Sequence, residues 1–196
     1  MKSTTGSISR QTLYLAILSA LIVGFVGGVG YSAFRSASLS TQQQAGGHTH
    51  SNEAPAAEAI AALEKKAQED PDNAEVWAEL GHAFFDSGQA DNAIAAYTRA
   101  LAIAPDNANV RTDLGVMYFQ SKKHREAISE FDRVLGADPQ HPQARFNKGV
   151  VLYSGLGDKT GALAEWKALL QTHPDAITPT GMALKDLIGQ VEEEKE

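Results

Sequence analysis

Hydrophobic residues recur at helical spacing in a series of short segments between residue 53 and the end of the chain. In one segment Ala93, Tyr97 and Leu101 lie four residues apart, which places them on one face of an α-helix. Short polar stretches separate the segments, and a proline follows every second one. The pattern predicts three helix pairs, with first helices at 74–87, 108–121 and 143–153 and second helices at 91–104, 125–137 and 159–172.

The helix pairs are copies of a 34-residue unit. Residues 74–107 and 108–141 share eleven identities when they are aligned, whereas unrelated sequences of ordinary composition would share about two. A third copy, residues 142–176, contains one extra residue. We place that residue in the turn at Gly155–Asp158, because turns accept insertions more easily than packed helices do.

A glycine stands near the middle of each first helix, at Gly81, Gly115 and Gly149. Glycine inside a helix is about 1 kcal/mol less favourable than alanine. Close approach of a second helix would offset that cost, so the glycines predict tight contacts between the two helices of each pair.

These units resemble the tetratricopeptide repeat, whose pattern is W-x2-L-G-x2-Y, then A-x3-F, then P. The first unit supplies Trp77, Leu80, Gly81, Phe84, Ala93, Tyr97, Ala100 and Pro105. The second supplies Leu114, Gly115, Tyr118, Ala127, Phe131 and Pro139, and the third keeps Gly149, Ala162, Trp166 and Pro174.

Departures from the pattern concentrate in the second and third units. Arg111 and Arg145 stand at the tryptophan position, and Val134 stands at a small-residue position. The third unit also has Lys148 in place of leucine and Leu152 in place of tyrosine. We therefore expect the third unit to differ most in its packing.

Partial elements flank the three units. Residues 53–73 repeat the second-helix pattern, with Ala59, Leu63 and Pro71 in register, which predicts an incomplete repeat. Residues 177–196 are predicted to form a capping helix that opens at Pro179 and Thr180. Its apolar stripe is Leu184, Leu187, Ile188 and Val191. Such an element is needed because the last apolar face of a solenoid must be covered.

The N-terminal part contains a candidate membrane anchor. Residues 13–34 are 22 positions without a charge, and as a helix they would extend about 33 Å, enough to cross a bilayer. The alternative is a cleavable signal peptide cut near Ser36 or Ser38, but its apolar stretch would be shorter. We therefore expect an all-α protein: one transmembrane helix followed by a right-handed α-solenoid of about three tetratricopeptide helix pairs, with a half-repeat and a cap.

The charges beside the span predict its orientation. Lys2 and Arg10 precede it and only Arg35 follows closely, so the positive-inside rule places residues 1–12 in the cytoplasm. The solenoid is then expected on the periplasmic side of the inner membrane. Residues 35–52 are polar and rich in Gly, Ser and Gln, which predicts a flexible linker.

Small residues recur every four positions within the span, at Ala16, Ala20, Gly24, Gly28 and Ser32. Such a row lets a second helix approach closely, and self-association would follow. The alternative is that small residues are common in membrane helices and carry no such role here.

Composition excludes several classes of site. The chain has no cysteine and a formal charge of −7, which excludes disulfides and thiolate metal sites and argues against nucleic acid. His48 and His50 lie in the linker without a fixed third ligand, so no metal is expected. Gly157-Asp158-Lys159-Thr160 lacks the glycines of a phosphate loop. We expect no enzyme activity and no cofactor.

The resemblance implies that the first helices line a concave groove in which another protein binds. The residues expected there are Ala78, His82, Phe85, Thr112, Val116, Phe119, Phe146, Asn147, Val150 and Tyr153. Phe85, Phe119 and Tyr153 would form an aromatic ladder. The alternative is that some of these rings only seal contacts between adjacent helices.

These observations favour a membrane-anchored scaffold that holds an apolar peptide or helix of a partner protein. The anchor, the expected periplasmic domain and the segment from Ala164 to Pro174 are also similar to the tetratricopeptide domains of c-type cytochrome maturation systems, which bind apocytochrome ends. An assembly factor of that kind is one alternative. A self-assembling oligomer without a separate client is another.

Overall fold

The computed structural model describes residues 53–194, which contain eight α-helices and no extended sheet. They are α1 (Glu53–Glu69), α2 (Ala74–Asp86), α3 (Ala90–Ile103), α4 (Ala108–Gln120), α5 (His124–Ala137), α6 (Pro142–Val150), α7 (Lys159–Thr172) and α8 (Leu184–Glu193). The expected anchor at 13–34, its cytoplasmic flank and the linker with His48 and His50 lie outside the described residues. Within 53–194, no helix is both long and apolar enough to span a membrane.

The first helices begin at equivalent capping residues. The Asn73 side chain accepts hydrogen bonds from the backbone N–H groups of Glu75 and Val76, and Asn107 accepts one from Val110. His141 fills the same role before α6, where its Nδ1 accepts from the N–H of Ala144. A side chain that accepts these otherwise unpaired N–H groups fixes the point at which each helix begins.

The turn inside each pair has a left-handed residue. Gly88 has φ +73°, Lys122 has φ +60° and Gly157 has φ +69°. Glycine adopts this conformation without steric cost, whereas Lys122 does so at some expense. The shared conformation sends each second helix back along the first.

Tight packing at the mid-helix glycines is confirmed. A Cβ atom at Gly81 would lie 2.5 Å from the Tyr97 ring, and one at Gly115 would lie 2.6 Å from Cε1 of Phe131. The Trp166 indole is equally close to Gly149. Tyr97, Phe131 and Trp166 are fully buried, so these ring-on-glycine contacts form the centre of each repeat.

The extra residue of the third repeat is not taken up where the sequence suggested. In the first two repeats the turn closes through hydrogen bonds from Gln89 N to Phe84 O and from Lys123 N to Tyr118 O, each across five residues. The third closes from Asp158 N to Leu152 O, across six. Residues Val151–Gly155 form a π-helical turn that continues α6. The insertion lies in that widened turn, because a π-turn adds one residue without breaking the helix.

Both ends of the array pack on their neighbours. Ile60 and Ala67 of α1 are buried, and α1 packs against α2. The stripe Leu184, Leu187, Ile188 and Val191 is buried on α8, which packs against α7.

The expected start of the last helix at Pro179 and Thr180 was wrong. The backbone N–H of Thr178 bonds to Met182 O at 2.7 Å, and Gly181 has φ +82°. These residues form a tight turn, and α8 begins only at Leu184. The hydroxyl of Thr178 also accepts from the N–H of Met182, which favours the turn over a helix.

Candidate protein-binding surface

Equivalent positions of α2, α4 and α6 form one surface, which we call the inner face. It comprises residues 75, 78, 79, 82, 85 and 86 of α2 and the residues 34 and 68 positions later. First helices of tetratricopeptide arrays line the concave side of the solenoid, where repeat proteins bind their partners. By this definition the inner face includes the ten residues predicted for the groove, of which Tyr153 lies in the π-helical turn that follows α6.

Most of those ten residues are covered within the chain. Eight are buried: Ala78, Thr112, Val116, Phe119, Phe146, Asn147, Val150 and Tyr153. His82 and Phe85 are half-buried. Of the expected aromatic ladder, Phe85 therefore keeps the most accessible surface.

Two rings of the expected ladder are packed into the contacts between neighbouring helices. Phe119 is 6% exposed, and its ring centroid lies 5.5 Å from that of His124 at the start of α5. Tyr153 is 4% exposed and lies 6.0 Å from Trp166, while its hydroxyl donates to Glu194. Burial of both rings follows from the neighbouring helix of the same repeat.

A polar contact joins the first two repeats on this face. Nε2 of His82 lies 3.1 Å from Oδ2 of Asp113. Burial raises the pKa of the Asp113 carboxyl, and the hydrogen bond from His82 only partly opposes that shift. Beneath them, burial and then the carboxylates of Asp113 and Asp86 raise the pKa of the Tyr97 phenol. This end of the inner face therefore has a negative electrostatic potential.

No lysine or arginine occupies the inner-face positions. The basic residues of the first helices are Arg111, Arg145 and Lys148, which stand at other positions of the repeat. Burial alone would lower the pKa of Lys148, but hydrogen bonds to Asp132 and Glu165, both at 2.7 Å, outweigh it and raise the pKa. These cations are neutralised by second-helix carboxylates.

The arginines at the tryptophan position have a structural role that the sequence did not reveal. The Trp77 indole donates to Pro71 O at 3.0 Å, and Arg111 donates to the equivalent Pro105 O at 2.6 Å. Arg145 makes the same bond to Pro139 O. The signal that could have found this role is the pair of glutamates, Glu130 and Glu165, present only in the repeats that carry arginine.

The first repeat differs on its outer side as well. Ala96 stands where the second repeat has Glu130, and a cavity of about 520 Å³ lies between α1, α2 and α3. Its lining includes Ala67, Trp77, Leu80, Phe84 and Ala95. Ala67, Ala95 and Ala96 present only methyl groups to this space.

Chemistry beyond binding has little support in the described part of the chain. No group of three or more histidine or acidic side chains between 53 and 194 is arranged to hold a metal ion. Four buried side-chain atoms in this part of the chain have no hydrogen-bond partner, namely Tyr97 Oη, His124 Nδ1, Ser154 Oγ and Gln190 Oε1. The inner face is suited to recognition of a surface or segment of another molecule.

Solved structures of repeat proteins are similar to this chain. MamA is 23% identical with a TM-score of 0.60, over 72% of this chain and 85% of that one. A tetratricopeptide repeat protein from Parabacteroides merdae ATCC 43184 is 16% identical with a TM-score of 0.61, over 72% of this chain and 55% of that one. The first repeat domain of Spaghetti (RPAP3), bound to the HSP90 peptide SRMEEVD, is 24% identical with a TM-score of 0.54, over 62% of this chain and 94% of that one.

These likenesses establish a tetratricopeptide fold. No curated protein matches the sequence. The model of the family described as cytochrome c-type biogenesis protein H TPR domain matches residues 34–177, which include every helix from α1 to α7. The chain therefore belongs to the family of tetratricopeptide domains of cytochrome c-type biogenesis protein H.

Proposed function

We propose that this chain is a membrane-anchored, non-catalytic assembly factor of c-type cytochrome maturation that holds a partner polypeptide on its inner face. The observation that carries the proposal is the family match over residues 34–177. Tetratricopeptide arrays act by protein–protein interaction, and the partner in this family's process is a polypeptide to be assembled.

The proposed location follows from the N-terminal sequence. Residues 13–34 anchor the chain, and the bias of Lys2 and Arg10 over Arg35 puts the solenoid on the periplasmic side. Protease added after the outer envelope is permeabilised should then digest residues 53–196. Protection until the inner membrane is broken would contradict this location.

The contacts that we propose with the partner are not those of an all-apolar groove, because they are partly polar. Since most of the apolar residues of the inner face are buried, apolar contact is concentrated around Phe85 and His82 in the first repeat. Polar inner-face residues, among them Asn109, Gln120 and Gln143, are exposed along the rest of the face. An amphipathic partner segment fits this distribution better than a purely hydrophobic one.

Site-specific photocrosslinking in cells tests the proposal on the full-length chain. The crosslinking residue is placed at Gln120, which is exposed on the inner face, and at Thr98, which is exposed on α3, as a matched outer control. Capture of a c-type cytochrome polypeptide or of a maturation component from Gln120 alone is the expected result. Equal capture from both positions, or capture of a second copy only, would contradict the proposal and favour the oligomer.

A further inference from the structure

We propose that residues 40–52 dock on the side of α1 that carries Ala59 and Leu63, as the first helix of a fourth repeat, with the imidazole of His48 against the carboxylate of Glu79. Composition alone assigned this segment to a linker. The additional helix would extend the inner face by one repeat, and its formation does not depend on the function proposed above. Two features support it: an uncovered side of α1, and a repeat register that continues N-terminal to α1.

One side of α1 lacks the cover that the other second helices have. In α3, α5 and α7 two equivalent positions are fully buried, and they are occupied by Ala93 and Tyr97, Ala127 and Phe131, and Ala162 and Trp166. The corresponding residues of α1 are Ala59, which is exposed, and Leu63, which is half-buried. We call this face the open side of α1. Elsewhere on α1 Ile60 and Ala67 are buried, and α1 packs against α2. α1 therefore packs as a second helix whose own first helix is not among residues 53–194.

The 34-residue register continues into residues 40–52. Residues 40–73 share ten identities with residues 74–107 when they are aligned, whereas unrelated sequences would share about two. Most of the identities lie in α1 and the loop after it, but Gly47 and His48 also align, with Gly81 and His82. The matching family model begins at residue 34, well before α1. Residues 40–52 therefore occupy the place of a first helix, and they have the length of α2, 13 residues.

The mid-helix glycine indicates where the segment would lie on α1. A Cβ atom at Gly81 would be 3.0 Å from Cγ of Tyr97, so the backbone of the first helix runs directly over that second-helix side chain. The same register places Gly47 over Leu63, on the open side of α1. A segment this short that contains two adjacent glycines does not form a stable helix on its own. A helix at 40–52 therefore depends on its contacts with α1 and α2.

A contact between first helices gives His48 its partner. Nε2 of His82 lies 3.1 Å from Oδ2 of Asp113, which is on the first helix of the next repeat. The residues 34 positions earlier are His48 and Glu79. The additional helix would therefore place an imidazole beside a carboxylate in the same way. Glu79 is exposed on α2, and a hydrogen bond to its charged carboxylate is stronger than one between neutral groups.

The turn between the two helices has to come from the first residues of α1. Residues 53–55 correspond to the turn residues 87–89, but they belong to α1 in the structure. The first N–H groups of a helix have no partner within it, and Pro55 has no N–H. Few hydrogen bonds are therefore lost when these residues leave the helix. Ala54 would take the left-handed position of Gly88, as Lys122 does in the second repeat.

Disulfide formation in the full-length chain tests the docking, because the chain has no cysteine of its own. In Gly47→Cys/Leu63→Cys the docked segment would bring the two Cβ atoms within about 4.5 Å, as a disulfide requires. The control is Gly47→Cys/Ala61→Cys, in which Ala61 is exposed and lies about 200° around the helix axis from Leu63. Under mild oxidation in detergent we expect the first pair to react at least about tenfold faster, because docking raises the effective concentration of its thiols. Equal rates would overturn the proposal.

A charge variant tests the contact of His48. In the Gly47→Cys/Leu63→Cys background, Glu79→Gln should slow disulfide formation by up to about fivefold, as expected for loss of one exposed ion pair. Glu75→Gln removes another exposed carboxylate of α2 and should leave the rate unchanged. Equal effects of the two substitutions, or no effect of either, would overturn the assignment of Glu79 as the partner.

Two further variants test for other occupants of the open side. Leu63→Cys alone should form no disulfide-linked dimer, and such a dimer would mean that a second copy covers α1. A photocrosslinking residue in place of Lys66, which is exposed and corresponds to the buried Ala100, should react within its own chain. An adduct with another protein in cells would mean that a partner covers this side, and either result would overturn the docking. Capture from Gln120 is unaffected by these outcomes, so failure of the docking is distinct from failure of the proposed function.

Discussion

Arg111 on α4 donates from its guanidinium to Oε2 of Glu130 on α5 at 2.7 Å, with both side chains at least 85% buried. The first repeat has Trp77 and Ala96 at the same two positions. The first repeat therefore fills this contact with an aromatic ring and a methyl group, whereas the second repeat fills it with an ion pair. Either solution keeps the hydrogen bond to the proline carbonyl that ends the preceding repeat.

The first prediction is that the tryptophan–alanine pair of the first repeat can replace the ion pair of the second. Glu130→Ala leaves the Arg111 guanidinium without its buried carboxylate and should destabilise the fold by about 3–5 kcal/mol. Adding Arg111→Trp, which installs the pair found in the first repeat, should recover a large part of that loss. Urea unfolding of the two variants measures both steps. If the double variant is no more stable than Glu130→Ala, the two solutions are not interchangeable.

The mid-helix glycines give the second prediction. In Gly115→Ala the new methyl group would lie 2.6 Å from the Phe131 ring, and such overpacking costs about 1–3 kcal/mol. Gly189 in α8 has no atom within 4 Å of the Cβ position, so Gly189→Ala should instead stabilise by up to about 1 kcal/mol. Thermal melts of the two variants should shift in opposite directions. A shift of the same sign would contradict the close-approach explanation.

Asp113 predicts a pH-dependent stability. Because burial raises its pKa in the folded state above the ordinary value of 3.8, the folded chain holds this proton to higher pH than the unfolded chain does. Stability is then lost as the pH rises through the folded pKa. Asp113→Asn removes the effect and should be more stable than the parent at neutral pH by about 1 kcal/mol or more.

The measurement for Asp113 is the difference in unfolding free energy between variant and parent across a pH series. That difference should grow as the pH rises from about 4. Asp106→Asn, at an exposed position, is the control for loss of one carboxylate. A difference for Asp113→Asn that stays constant with pH would mean that His82 fully compensates the buried carboxylate.

The rings of the inner face give the fourth prediction. Phe119→Ala should cost about 3–5 kcal/mol of stability, since its ring is buried in the contact with α5. Phe85→Ala removes a half-buried ring and should cost clearly less, while it weakens capture of the partner identified by crosslinking. Melting temperature and capture, measured on both variants, test this. A nearly unchanged melt for Phe119→Ala would restore the aromatic ladder as a binding surface.

Much of the helical architecture could be predicted from the sequence because each repeat carries its own local signals. Helix periodicity, the mid-helix glycines and the aromatics of the second helices located α2 to α7 to within a few residues. Prediction was poorer where local signals competed. Pro179 is a typical helix opener, yet the hydroxyl of Thr178 and the left-handed Gly181 favour a turn there.

Prediction of the candidate surface from local sequence signals was limited as well. Register alone placed Phe119 and Tyr153 on the first-helix face, and it could not decide whether a neighbouring helix covers them. His124 and Trp166 cover these two rings, and both contacts depend on the angle between packed helices. Burial is a property of the assembled array, whereas position on a helix face is a property of the segment.

The sequence by itself determined the repeat length, the order of helices, the all-α class and the absence of basic residues from the inner face, because these follow from residue identity and spacing. The tertiary structure alone decided which side chains remain accessible, that Arg111 and Arg145 pair with Glu130 and Glu165, and that the extra residue enters a π-turn. Those outcomes depend on contacts between segments distant in sequence. Their energies arise from packing and desolvation in three dimensions, which no single helix specifies.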